Sequence, residues 1–396
     1  MLLLNSSVRL GIYADVENQP VSIFSSKLTP GADIGVGFTI LSLVLLSTLG
    51  NGLVLVISYR RRRKISGPEL LSVNLAIVDF LSCVCFYPLS ILSSFNHAWL
   101  GNHVTCTYYG LGCYAFGLCG MFTIASISVI RYVKTCYSLV YAVWLNSSKI
   151  RLVCYATWLV AAFWSSFPLF GWAEYVPEPY GLSCTVAWRS YHTSAKDAAY
   201  VICSFAFFTL VPVLVIVLSQ IHILYRVYSF SHTLSARGIR TSLHNAERRI
   251  SLVRMLRLVE QSTRNHLKIA VSCCPFQMFF CVSFGFVMAW APYAVVSFLF
   301  IFYKGNRFMA PGGFVFPALF AKSSHVYNPF IYFYFNKAFR QDLRRLLHSF
   351  CRHLGRNRLR VRPAPAHWPH HRGHTTGATA KGLHRAIQID THNNRD

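Results

Sequence analysis

Seven successive apolar runs constrain this chain more than any other feature. They lie near residues 35–59, 70–95, 104–130, 152–171, 198–225, 269–303 and 311–335, and each reaches the roughly 20 residues that carry a helix across a bilayer. Inside hydrocarbon every backbone N–H and C=O needs a partner within the protein, so such runs form helices or close into a barrel. Period-two alternation is missing, which argues against the barrel. The expected fold is an all-α membrane protein, a seven-transmembrane-helix bundle. Composition agrees, with 54% hydrophobic and 13% charged residues, where a soluble domain carries about 25% charged.

Charge placement orients the bundle. A net charge of +25 would suit nucleic acid, but 31 of the 38 Lys and Arg fall in the first, third and fifth loops and the C-terminal tail. Six fall in the N-terminus and alternate loops, and the last is Lys322. The positive-inside rule then sets the N-terminus outside the cell and the C-terminus in the cytoplasm. A multi-pass protein of the cell membrane follows, its basic inner face set against anionic lipids, with no nucleic-acid partner. Residues 1–4 are too short and insufficiently basic for a signal peptide, so the first run is expected to target the chain. Asn5 begins an Asn-Ser-Ser glycosylation acceptor on the outside. Asn146 begins another on the inside, where it is expected to be silent.

Most of the 13 cysteines lie within apolar runs, where they act as small hydrophobes. Cys106 and Cys184 face the oxidising side in this topology, where either a bridge or two free thiols can exist. Lys322 is the exceptional charge. A lone lysine at membrane depth costs about 2.5–3.5 kcal/mol on insertion scales. It needs a partner, a water-filled cavity or a chemical modification, and its amine is the group that forms Schiff bases with carbonyl compounds.

Landmarks stand in order along the runs: Gly50-Asn51, Asn74 with Asp79, Cys106 followed 25 residues later by Arg131-Tyr132, Trp158, Pro212, Trp290 with Pro292 and Tyr293, and Asn328-Pro329 with Tyr332. With these the chain resembles the family A (rhodopsin-like) G-protein-coupled receptors over about residues 35–350. The resemblance implies an activation network of Asn51, Asp79, Arg131, Tyr132, Asn328, Pro329 and Tyr332. Polar groups such as Asn51, Asp79 and Asn328 must in any case share hydrogen bonds inside the bundle. It also implies a heterotrimeric G protein, arrestin and a receptor kinase as partners, and a Cys106–Cys184 disulfide. Phe339, Leu343, Leu346 and Leu347 recur at helical spacing, so residues 336–350 are expected to form an amphipathic helix 8 on the membrane. Cys351 is a palmitoylation candidate. The resulting division is 1–34 as N-terminus, 35–335 as bundle, 336–350 as helix 8 and 351–396 as a disordered basic tail. The tail histidines are read as solvated, and no metal site is expected.

Within that family, Lys322, seven residues before Pro329, resembles the retinal attachment site of the opsins. The segment 171–184, with Glu178 six residues before Cys184, resembles the opsin second extracellular loop. Retinal, of unspecified isomer, is the implied cofactor. Lys322 would hold it as a Schiff base, with Tyr109, Gly117, Trp290 and Tyr293 lining the cage and Gly117 leaving room. An acid three residues after Cys106 marks vertebrate visual pigments, but Tyr109 stands there, which leaves Glu178 as the counterion. That combination is most similar to neuropsin-like non-visual opsins. Such a protein is a light-activated receptor and not an enzyme. Two alternatives stay open: a retinal photoisomerase or storage opsin, and a chemoreceptor in which Lys322 pairs with a ligand carboxylate.

Four departures qualify the resemblance. Ile130 replaces the acid before Arg131, Gln220 replaces a Tyr eight residues after Pro212, and Ala289 replaces a Cys. The fourth is the 35-residue uncharged run 269–303, roughly 52 Å as a helix against about 30 Å of hydrocarbon. Residues 273–281 read as an insertion there.

Overall fold

The computed structural model describes residues 23–61, 65–243, 251–302 and 310–359, without the side chains of 230–276, 350 and 353–359. Asn5 and most of the tail lie outside the described residues. Residues 1–347 form one unit and 348–396 a second.

The spans begin where the sequence supplies caps. Pro30 opens α1 (Pro30–Arg60) behind Thr29, whose hydroxyl accepts from the Ala32 N–H. The second span is α2 (Gly67–Cys85) followed by α3 (Tyr87–Phe95), broken at Phe86. Pro88 has no N–H to continue the ladder, so the helix bends there, and Tyr87 is buried in the interior. The third span is α4 (His103–Cys136), capped by Asn102, and a short α5 (Ser138–Trp144) follows it. Asn146 caps α6 (Ser147–Ser166) by accepting from the Lys149 N–H at 2.9 Å, so its side chain is already engaged.

The fifth span joins α7 (Ala195–Phe205) to α8 (Val211–Leu243) through one π-turn at Ala206–Leu210. Pro212 sits just beyond it. A proline deletes a donor and crowds the preceding turn, and widening that turn accommodates both effects. The sixth span belongs to α9 (Ser251–Phe302), a continuous 52-residue helix. Residues 273–281 are thus threaded into one helix, and Met278 and Phe279 are buried in the bundle core. The expected insertion is, at its C-terminal end, core.

The seventh span is α10 (Gly312–Phe335), with Pro317 and Pro329 inside it. Among the described residues six helices are long and apolar enough to cross a membrane, and α10 is not one of them. It spends its turns on Lys322, Ser323, Ser324, His325 and Asn328. α11 follows as Lys337–Leu359, with a strongly amphipathic pattern. It continues beyond residue 350, so the expected boundary between helix 8 and a disordered tail moves to a later position. Cys351 is exposed on it.

Close approach seats α10 against α1: a Cβ on Gly50 would lie 2.9 Å from the Pro329 ring. At the other end a hairpin of β1 (Tyr175–Pro177) and β2 (Cys184–Val186) covers the bundle, pairing antiparallel with Pro177 opposite Cys184. The Cys106–Cys184 disulfide ties it to α4. Residues 24–27 lie over the hairpin, with the Lys27 N–H donating to the Tyr180 carbonyl at 3.1 Å. Gly181 is required there, because its φ is +88° and a Cβ would meet the Ser25 carbonyl oxygen at 2.5 Å.

Removing this disulfide through Cys106→Ser or Cys184→Ser should lower the yield and thermal stability of purified protein. Loss of a native bridge commonly costs about 2–5 kcal/mol. Peptide mapping under non-reducing conditions should recover the two cysteines joined. Recovering both as free thiols from properly folded protein would refute the assignment.

Candidate ligand-binding site

Beneath the hairpin lies a cavity lined by residues of α2, α3, α4, the hairpin, the fifth span, α9 and α10. All six residues expected to form the cage line it: Tyr109, Gly117, Glu178, Trp290, Tyr293 and Lys322. The hairpin aims Glu178 inward. Its backbone N–H donates to the Ser183 carbonyl at 2.8 Å and its carbonyl accepts from the Gly181 N–H at 2.8 Å, a tight turn that leaves the side chain 6% exposed. The Tyr293 hydroxyl donates to Glu178 Oε1 at 3.2 Å and is also 3.0 Å from the Thr185 hydroxyl. Glu178 Oε2 is buried with no hydrogen-bond partner among the described residues. In the same turn, burial and then the adjacent Glu178 carboxylate hold the Tyr180 phenol well above its ordinary pKa.

Lys322 is half-buried on α10, with its amine 5.8 Å from the centre of the Tyr87 ring. Among the described residues it forms no ion pair, with Glu178 or any other carboxylate. Both charges therefore share one cavity without contact. Tyr109 is fully buried. Trp290 donates to Ser324 at 3.1 Å and packs edge-on against Tyr293. The space beside Gly117 is partly filled by Trp290, 3.1 Å from where a Cβ would stand. Gly117 thus admits the indole as much as any ligand. An apolar crevice between the fifth and sixth spans adjoins the cavity and shares Met121, Phe205, Thr209, Trp290 and Ala294 with it.

Toward the Arg131 end, Asp79 and Asn328 meet, and a histidine joins them. Asp79, 2% exposed, accepts from Asn328 Nδ2 at 2.8 Å. Its other oxygen is 2.7 Å from His325 Nδ1, a residue the sequence reading passed over. The available signal was spacing: three residues beyond Lys322, it shares that face of α10. Asn51 bonds to the His325 carbonyl at 2.9 Å and does not reach Asp79. Tyr332 is buried, and Tyr132 packs against Tyr137 and His222.

Arg131 has no acidic partner among the described residues. Its guanidinium lies 3.8 Å from the centre of the Phe279 ring on α9. Just above, Gln220 Nε2 donates to Ser128 and Ser283, each at 3.3 Å, and those two hydroxyls are 3.2 Å apart. This triangle joins the third, fifth and sixth spans where the resembled family places a tyrosine.

Comparison with known proteins agrees with this geometry. Residues 50–332 match the family described as 7 transmembrane receptor (rhodopsin family). The chain is 35% identical to Opsin-5 of Homo sapiens over 310 residues, which cover 78% of this chain and 80% of that protein. It is 30% identical to the G0-coupled rhodopsin of Mizuhopecten yessoensis over 312 residues, covering 78% and 71% of the two chains. The crystal structure of squid rhodopsin superposes with a TM-score of 0.69 at 22% identity, over 82% of this chain and 87% of that one, a likeness of fold. The chain belongs to the rhodopsin family of seven-transmembrane receptors, and its relatives are opsins.

Replacing Gln220 by Met keeps the volume but removes the amide that joins three helices. The two serine hydroxyls keep each other as partners, so the expected loss is about 1 kcal/mol, the net worth of ordinary hydrogen bonds. A thermal melt of the purified receptor checks it, and an unchanged midpoint would show that the triangle holds nothing.

Proposed function

We propose that this chain is a non-visual light receptor carrying retinal as a Schiff base on Lys322, with Glu178 as counterion and a heterotrimeric G protein as partner. The carrying observation is the pair of charges facing one cavity: an amine without an acid and a buried carboxylate oxygen without a donor. Neither is favourable alone at low dielectric. A long apolar ligand ending in a cationic nitrogen at Lys322 would satisfy both and fill the aromatic walls. The cavity's walls suit that group, with Leu118, Met121, Phe205, Phe208 and Trp290 offering apolar surface away from Lys322 and Glu178.

Bound retinal supplies absorption of visible or ultraviolet light and a change of shape on isomerisation. The chain supplies the rest. Lys322 fixes one end of the ligand. Glu178, held by Tyr293, favours the protonated nitrogen, because an opposite charge stabilises the charged form while desolvation opposes it. Trp290 stands against the middle of the cavity and is hydrogen-bonded to Ser324 on α10, so displacing the indole acts on the sixth and seventh spans together. Movement of α9 would draw Phe279 off Arg131 and open the cleft at that end, a shift between two packings of the bundle. The N-terminus and hairpin face outside and the Arg131 end faces the cytoplasm, as the basic loops require. The G0-coupled relative supports G-protein signalling.

Lys322→Ala should abolish any retinal-dependent absorbance band while the protein still reaches the cell surface. Acid trapping followed by mass analysis checks this, and a covalent chromophore surviving in the variant would end the proposal.

Where the wild-type band lies in the visible at neutral pH, Glu178→Gln should lower the pKa of the Lys322 nitrogen. The band then moves into the ultraviolet. Titration in anion-poor buffer measures the shift, since chloride can substitute for a carboxylate. An unmoved visible band would remove Glu178 from the counterion role.

A further inference from the structure

The cavity holds a second ionisable centre that the reading above leaves unused. His325 is 5% exposed and both ring nitrogens are engaged. Nδ1 lies 2.7 Å from Asp79 Oδ1 and Nε2 lies 2.8 Å from the Tyr87 hydroxyl. The Tyr87 ring centre also lies 5.8 Å from the Lys322 amine, and Tyr87, Lys322 and His325 line the same cavity. Hydrogen bonds therefore run from Tyr87 to His325, then to Asp79 and Asn328, and the Lys322 amine stands over the Tyr87 ring at the open end of this row.

Other ionisable groups surround this chain. Asp79 and the Cys83 thiol come from α2, Tyr87 from α3, Tyr109 and the Cys113 thiol from α4, Glu178 from the hairpin, and Lys322 and Tyr327 from α10. From α1 only neutral groups reach it: Ser47 and Asn51 donate to the His325 carbonyl. Of these neighbours, Asp79 alone is a carboxylate bonded to the imidazole. A tyrosine hydroxyl donates to a neutral ring nitrogen or accepts from a protonated one, so the same heavy-atom arrangement holds either state of His325.

We infer that His325, clamped between Asp79 and Tyr87, is a second proton-binding site of the Lys322 cavity and exchanges a proton with the Lys322 nitrogen. This rests on the attachment proposed above. In the forward direction the N–H bond at Lys322 breaks and its proton passes to the Tyr87 oxygen. The original Tyr87 proton passes to His325 Nε2, and Tyr87 ends neutral. One positive charge leaves Lys322 and appears on His325 beside the Asp79 carboxylate, so the net charge of the cavity is unchanged. The reverse step restores it. Either way a change at the ligand end becomes a change in the tie between the second and seventh spans, one turn from Asn328-Pro329.

The first test uses ligand-free receptor with ring-labelled histidine, followed by infrared difference spectroscopy as the pH is varied. A titrating band lost in His325→Asn is expected. In Lys322→Met its midpoint should move to higher pH, because a neighbouring like charge has gone. Tyr87→Phe, which leaves the Asp79 contact intact, should shift the same band and so assigns it even where His325→Asn does not fold. In retinal-loaded receptor, the light-driven protonation change at Lys322 should coincide with the opposite change at His325. Tyr87→Phe should slow it on the order of a hundredfold, as loss of a positioned proton-transfer group does. A His325 band that does not titrate, or that ignores Lys322→Met, overturns the inference. Failure of retinal to attach at Lys322 overturns the proposed function instead and leaves the ligand-free result standing.

Discussion

Desolvation of charge is the constraint on which the rest of this structure depends. Out of water an unpaired ion costs several kcal/mol, and the chain buries Glu178 and Asp79 and half-buries Lys322. Each is answered by a different device. Asp79 receives two side-chain donors, His325 and Asn328, from one neighbouring helix. Glu178 is carried on a hairpin that could not stay seated by its own two short strands. The Cys106–Cys184 bond, the overlying residues 24–27 and the Tyr293 hydroxyl hold it down. Lys322 is left without an acid, and the cavity in front of it is what a covalent ligand would complete.

The Arg131 end answers the same constraint with weaker contacts. With Ile130 buried where an acid could have stood, the guanidinium rests on Phe279. A cation–π contact is worth about 0.5–2 kcal/mol, the upper end when desolvated, while breaking a buried ion pair costs about 3–5 kcal/mol. The third and sixth spans are therefore joined less firmly by charge, and the Gln220–Ser128–Ser283 triangle adds a neutral joint nearby. Phe279 belongs to the stretch that reads as an insertion in the sequence. Its burial against Arg131 makes the C-terminal end of that stretch part of the joint between the third and sixth spans.

The legible parts of the fold were those governed by hydropathy and by side chains of rare type at membrane depth. Seven runs, a lone lysine and an acid six residues before a cysteine are conspicuous, and all six cage residues do line one cavity. What escaped was set by tertiary contact. The break at Phe86 and the π-turn before Pro212 need the backbone path as well as the proline. Ser128 and Ser283 are small polar residues of a kind common in apolar helices, and nothing in their own neighbourhoods announces that Gln220 lies between them. Gly117 was read as open space because the position of the Trp290 edge is not written in the sequence. His325 was readable, since its spacing from Lys322 and Asn328 places it on the same face, but its partners lie about 240 residues away in the second span.

The seventh helix shows how these demands are reconciled. By hydropathy it is the poorest membrane span, because its inward face carries Lys322, Ser324, His325 and Asn328. Such a helix is stable only if it is enclosed by groups that complete its hydrogen bonds. The first span does this with Ser47 and Asn51, both aimed at the His325 carbonyl, a backbone acceptor four residues before Pro329, whose missing N–H would otherwise leave it unpaired. Gly50 removes the one side chain that would keep the two helices apart. The proline that weakens α10, the glycine that admits it and the amide that repairs it thus form one arrangement. It lies beside Asp79 and His325, where a change of charge would be felt by the least self-sufficient helix in the bundle.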